Sequence, residues 1–177
     1  MRDIDNKAMI HGVAHELLDL MTRGTTHRVD AVRTVPADYY LSEERYRREK
    51  EGLFRTRPLI VAFSCELPNP GDYKLHEDAG VPVLVTRQSD GSVRAFLNAC
   101  RHRGVQLVSG HGNCKTQGVI CPFHGWRWDG EGKNSFVYGR HMFDERQLDA
   151  GDLALIPCRA EEALGCVFIK FDDDAPS

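Results

Sequence analysis

Cys100 and His102 stand as Cys-x-His, and Cys121 and His124 as Cys-x-x-His, with 18 residues between His102 and Cys121. Gly104 and Gly125 follow the two pairs, so the backbone can turn tightly about a metal. Thiolate and neutral imidazole are the metal-binding forms of these side chains. Two of each suit a tetrahedral zinc ion. They also suit a [2Fe-2S] cluster with two cysteines on one iron and two histidines on the other.

Zinc fingers usually draw like pairs, two Cys from one turn and two His from another. Here each segment offers one Cys and one His, which suits a two-iron rhomb because each segment must reach both irons. A competing set lies in the same stretch. His111, Cys114, Cys121 and His124 read as His-x-x-Cys and Cys-x-x-His, six residues apart, and could build a small zinc ribbon. That set leaves out Cys100 and His102, and the first set gives Cys114 no ligand role. His11 and His15 share one helix face, but Glu16 follows them and the His-Glu-x-x-His order is not met. Cys65, Cys158 and Cys166 lie in apolar runs and read as small buried hydrophobes. His27, His76 and His141 have no partner in sequence and read as structural.

The elements that must position the four residues are mostly strands. Short β-branched or aromatic runs begin after Pro58: LIVAFSCEL, YKLHE, VPVLVTRQ and VRAFLNA, then GVICPF, WRW, SFVYG, LALIPCRA and CVFIKF. Asp90-Gly91 between two of them signals a hairpin, and the stretch Asp129 to Lys133 a further turn. Ahead of the strands, Met9, Ile10, Val13, Leu17, Leu18 and Met21 recur at helical spacing, with Gly24 as a stop. Residues 25–40 read as a connector. Ser42 before Glu43 and Glu44 predicts an N-cap and a charged helix to about Gly52.

The chain has 177 residues, 41% hydrophobic and 28% charged, which fits an ordinary globular protein with one core. A formal net charge of −3 argues against a nucleic-acid binder. Charges interrupt the N-terminal stretch where a signal peptide needs an apolar core, and the apolar runs are too short to span a bilayer. A cytoplasmic protein is expected, and six cysteines in a reducing compartment are ligands or free thiols before disulfides.

CRHRG and CPFHGW, with Asn98-Ala99 before the first and RWDGEG after the second, resemble the Rieske domain of ring-hydroxylating oxygenase large (alpha) subunits. The resemblance runs from about Tyr40 to Asp172 and includes the strand-hairpin-strand lead-in to Cys100. The family usually has Tyr where this chain has Phe123, a change that keeps the ring. The resemblance implies Cys100 and Cys121 on one iron and His102 and His124 on the other. It also implies a mainly β fold of three small antiparallel sheets, with the cluster on two loops at one tip and one or two helices ahead. The expected division is a helical extension over 1–40, the Rieske domain over 41–172, and a boundary at 173–177 to a catalytic domain not in this chain.

Two ferric irons, two sulfides and two thiolates sum to zero charge when both imidazoles are neutral. An electron is added to that centre more easily than to a four-cysteine dianion. High-potential Rieske proteins of respiratory chains carry an extra Cys in each loop. Here the matching positions are Arg101, Arg103 and Phe123, so that bridge is absent, and Gly125-Trp126 replaces a serine that donates to the cluster. A low-potential centre follows. Arg101, Arg103 and Arg127 read either as loop salt bridges or as a positive rim that steers an acidic ferredoxin or reductase. The resemblance implies electron transfer to a mononuclear Fe(II), held by two His and a carboxylate in the absent catalytic domain. The chain alone is expected to carry electrons and not to activate O2. A stand-alone Rieske ferredoxin and a zinc-stabilised binding domain are the alternatives.

Overall fold

The computed structural model describes residues 6–29, 31–78, 80–148 and 152–171. The boundary expected at 173–177 lies outside them. The chain divides into two compact units, Met1–Leu41 and Ser42–Ser177.

The first unit holds α1 (Asn6–Thr22) and the single-turn α2 (Asp38–Leu41). Gly24 stops α1 as expected. At φ 59° its N–H reaches the Met21 carbonyl while the Thr25 N–H reaches that of Leu20, a pairing that closes the orphan carbonyls of the last turn. Met9, Ile10, Val13, Leu17, Leu18 and Met21 are all exposed, and Leu20 is buried. The second unit opens on α3 (Glu43–Glu49), capped by the Ser42 hydroxyl, which accepts from the Arg45 N–H at 3.3 Å. Glu43 and Glu44 occupy its first turn and Arg47 and Arg48 its last, both favourable to the helix dipole. The helix runs on as a wider turn over Lys50–Phe54, so Gly52 does not end it.

Ten strands follow: β1 (Leu59–Phe63), β2 (Asp72–His76), β3 (Val83–Arg87), β4 (Val93–Leu97), β5 (His111–Asn113), β6 (Val119–Ile120), β7 (Arg127–Trp128), β8 (Asn134–Phe136), β9 (Pro157–Ala163) and β10 (Cys166–Lys170). All the pairings are antiparallel. One sheet runs β1-β10-β9-β4-β3-β2-β5 and a second runs β6-β7-β8. The larger is two small sheets joined through β9. The Pro157 end of β9 pairs with β4, and the strand from Arg159 to Ala163 pairs with β10.

Strands β3 and β4 are covered on both faces. Val83 and Val85 of β3 and Ala95 of β4 enter a core with Val61, Leu67, Val167 and Ile169. Leu84 and Phe96 point the other way, into a core that holds Cys100, Cys121, Trp126 and Trp128. Burial on both faces explains why VLV is unbroken apolar sequence and does not alternate.

Several expectations change. LIVAFSCEL ends as a strand at Phe63, and Ser64–Glu66 forms a 3-10 turn. Of LALIPCRA only the part from Pro157 is strand, and the segment 153–156 is not. It is a strap whose Leu153 and Leu155 are buried. Trp128 Nε1 donates to the Leu153 carbonyl at 2.7 Å, the Leu155 N–H donates to Gly132, and the Leu97 N–H donates to Ile156. Cys65 is exposed and Cys158 and Cys166 are half-buried, so none of the three is the fully buried hydrophobe expected. β5 has no propensity signal in His-Gly-Asn. Pairing to β2 imposes it, with Tyr73 opposite Gly112.

Arg87 ties β3 to the turn after β1 and to β9. Its guanidinium donates to the Leu67 and Gly91 carbonyls at 2.8 Å each, and holds Glu162 through both carboxylate oxygens. The Arg87 hydrogen bond lowers the Glu162 carboxyl from its ordinary 4.5 to about 2. A depressed folded-state value contributes stability above the unfolded value and loses it as pH falls towards the folded one. The full depression is worth at most ~3 kcal/mol, and about 1–2 kcal/mol after screening of this partly exposed pair. Urea denaturation from pH 7 down to pH 3 should therefore show a stability loss in the native protein that Glu162→Gln lacks. Parallel curves for the two proteins would remove the pair from the acid response.

Candidate metal-cluster site

Two backbone knuckles built to one pattern hold the four residues. In the first, the Cys100 N–H donates to the Val105 carbonyl and the Gly104 N–H donates to the Cys100 carbonyl, both at 2.8 Å. In the second, the Cys121 N–H donates to Trp126 at 2.8 Å and the Gly125 N–H donates to Cys121 at 3.0 Å. The closing glycine has φ 70° in each. A methyl group at either glycine would meet nothing within 4 Å, so the demand for glycine is one of backbone conformation, not of space. Both knuckles present their cysteine at the first position. They differ only in placing the histidine third or fourth.

Across the knuckles like meets like. The Cys100 thiol lies within hydrogen-bonding reach of the Cys121 thiol. The His102 and His124 rings lie 4.9 Å apart by centroid. Both cysteines are buried, and both histidines are half-buried nearer the surface. Burial pushes the Cys100 thiol up. The backbone N–H groups of His102 and Arg103 point at the sulfur and oppose this, while the Cys121 thiol adds to the rise. Burial also pushes His102 down, helped by His124 and the Arg103 charge, which favours the neutral imidazole a metal needs. Nδ1 of His124 is buried without a hydrogen-bond partner. A buried polar atom of that kind is costly unless something is to bind it, and a metal ion would satisfy it.

Among the described residues, no group of three or more His, Cys, Asp and Glu side chains is arranged to hold a single metal ion. The four knuckle side chains meet instead as a thiol pair and an imidazole pair, the donor set of a two-iron cluster with mixed ligation. The competing set is drawn apart by other duties. His111 is exposed on β5, and the Cys114 thiol donates to the Gly71 carbonyl at 3.3 Å. Cys114 heads a third turn, closed by the Gly118 N–H on its carbonyl at 2.8 Å, but its sulfur serves the packing of that turn.

The surroundings include residues whose roles pattern reading did not reach. Asn98 is 1% exposed. Its Nδ2 donates to the Val108 carbonyl at 2.8 Å, and its Oδ1 accepts from the Leu107 and Val108 N–H groups at 3.2 Å. It thereby fixes both ends of the first knuckle. A buried Asn two residues before a ligand cysteine was the available signal. Among the described residues Arg101 forms no salt bridge, and its Nε and Nη2 donate to the Asp152 carbonyl at 3.1 and 2.9 Å. It ties the first knuckle to the strap. Arg127 lies 5.3 Å from the Phe136 ring, a cation–π contact beside the second knuckle. Phe123 covers His124, with centroids 3.9 Å apart.

A β domain presenting two mixed Cys/His knuckles over one core belongs to the class of metal-cluster domains. Residues 57–137 match the Rieske [2Fe-2S] domain family. The carnitine monooxygenase oxygenase subunit of Escherichia coli K12 is 37% identical over 81% of this chain and 38% of its own length. The naphthalene 1,2-dioxygenase large oxygenase component of Pseudomonas aeruginosa is 38% identical over 76% of this chain and 30% of its own. Among solved structures, naphthalene 1,2-dioxygenase from Rhodococcus sp. superposes with a TM-score of 0.70 at 30% identity, over 91% of this chain and 34% of that one. An apo quaternary ammonium Rieske monooxygenase gives 0.70 at 32% identity, over 84% and 42%. Residues 57–137 are a Rieske domain, and the chain's relatives are the large subunits of Rieske oxygenases. It spans less than half the length of the curated relatives it matches. Among the described residues, no helix is long and apolar enough to cross a membrane.

Proposed function

We propose that Cys100 and Cys121 hold one iron of the Rieske cluster and His102 and His124 the other. In this reading the domain relays electrons as the N-terminal part of an oxygenase terminal component. The observation that carries it is the pairing of thiol with thiol and imidazole with imidazole across two matched knuckles. When bound, the cluster supplies a one-electron store. The chain's own residues do the rest. Backbone N–H groups at the first knuckle favour thiolate, burial keeps His102 neutral, and Trp126, Phe143 and Phe123 limit water at the imidazoles.

Electrons would come from a ferredoxin or reductase and pass to a mononuclear iron in a catalytic domain of the same or a neighbouring subunit. Arg103, exposed beside His102, is the cation best placed to steer an acidic donor, because Arg101 is committed to the strap. The relatives' names include a carnitine monooxygenase and a naphthalene dioxygenase at nearly equal identity, so the proposal stops at electron delivery. Six cysteines in a chain whose ligand set needs reduced thiols suit a reducing compartment, and we place the protein in the cytoplasm on that ground.

The test is EPR of the dithionite-reduced protein, purified without oxygen, with iron, sulfide and zinc analysis. A rhombic low-g signal with two irons and two sulfides per chain is expected. One zinc and no signal would replace the electron-transfer reading with a zinc-stabilised binding domain. A potentiometric titration of the same sample should fall towards the negative end of the Rieske range, about −150 mV. A midpoint well above zero would contradict the low-potential assignment.

A further inference from the structure

We propose that Trp126 and Phe143 form an aromatic clamp that positions the His102 imidazole and biases the cluster towards its oxidised state. The proposal rests on His102 being a ligand. The Trp126 indole lies parallel to the His102 ring, 7° between planes and 4.8 Å between centroids. Phe143 presents its edge to both, 6.2 Å from His102 at 83° and 5.7 Å from Trp126 at 77°. Trp126 is 3% exposed and backed by Trp128, 6.5 Å away. Trp128 is itself fixed by its bond to Leu153.

None of the clamp belongs to the knuckle that carries His102. Trp126 closes the opposite knuckle, and Phe143 follows the 3-10 turn Arg140–Met142. His124 is treated differently. Its close ring neighbour, Phe123, is tilted by 42° and is itself exposed. Only one of the two imidazoles is therefore held face-on by a buried ring.

Two effects of this packing act in one direction. An imidazole giving density to a ferric iron is electron-poor, and the negative π-face of indole stabilises an electron-poor ring. That gain shrinks when an electron arrives. The two rings also exclude water from the His102 side, and the reduced cluster, carrying the extra negative charge, loses more solvation than the oxidised one. Trp126 and Phe143 are thus positioning residues that hold the potential down.

The experiment is an EPR-monitored potentiometric titration of Trp126→Leu, Trp126→Phe and Phe143→Leu, each compared at two irons per chain. Trp126→Leu should raise the reduced-to-oxidised ratio at a fixed ambient potential by about three- to tenfold, the latter being about 59 mV for one electron. It should also change the g-anisotropy, because the imidazole plane is released. Phe143→Leu should shift both readouts the same way by less, and Trp126→Phe should fall between wild type and Trp126→Leu. A packing role alone would lower the melting temperature and leave potential and g-values at wild type, which overturns the clamp. If Trp126→Leu cannot retain iron, Phe143→Leu decides, since that ring is only partly buried. A wild-type protein with zinc and no signal overturns the ligand assignment and the clamp with it. A normal wild-type cluster with unshifted variants overturns the clamp alone.

Discussion

Cys100→Ala is expected to yield a folded, colourless protein without the rhombic EPR signal, its iron falling from two per chain to near zero. Each iron needs two protein ligands, and no other cysteine is placed to replace this one. Cys114 is the nearest in sequence, and its thiol is turned to the Gly71 carbonyl. Trimming one sulfur atom from the core costs about 1 kcal/mol by packing alone, too little to unfold the domain. The loss of iron would thus report ligation and not collapse. The same variant separates the two ligand sets. A zinc ribbon of His111, Cys114, Cys121 and His124 does not use Cys100, so Cys100→Ala would keep its metal and Cys114→Ala would lose it. The two-iron reading expects the reverse. Iron and zinc analysis of both variants beside circular dichroism makes the comparison.

Asn98→Leu should be the most destabilising single change near the site, by about 3–5 kcal/mol. Leucine is close to asparagine in size, so the cost is polar. The Leu107 and Val108 N–H groups lose their partner, and the Val108 carbonyl keeps only the Gln106 amide at 3.2 Å. Each buried group left unsatisfied costs about 1–3 kcal/mol, and some relaxation towards solvent is available at half-buried Val108. A domain of this size has about 5–15 kcal/mol in total, so the change removes a large fraction of it. Because Asn98 pins the first knuckle, the variant should also release iron faster under chelator than wild type. Denaturant melts of the holoprotein and the half-life of its visible absorbance in chelator test both parts. Wild-type stability in Asn98→Leu would mean that the two N–H groups find other partners.

The spacing Cys-x-His and Cys-x-x-His, each with glycine close behind, already specified two tight turns carrying one thiol and one imidazole apiece. Such local information survives in sequence because a positive-φ position admits glycine and little else. Helix stops, the Ser42 cap and the Asp-Gly hairpin were legible for the same reason: each depends on a few adjacent residues. What tertiary structure decided depends on partners far apart in the chain. β5 exists only because β2 offers a pairing edge. The segment 153–156 became a strap because Trp128, Gly132 and Leu97 take its backbone groups, overriding its strand propensity. The residues beside Cys121 did not by themselves choose between Cys100 and Cys114 as its partner; the family resemblance implied Cys100, and the folded chain brings those two thiols together. Propensity and spacing describe a residue's own segment. The choice among segments belongs to packing and hydrogen-bond satisfaction, which only the assembled core enforces.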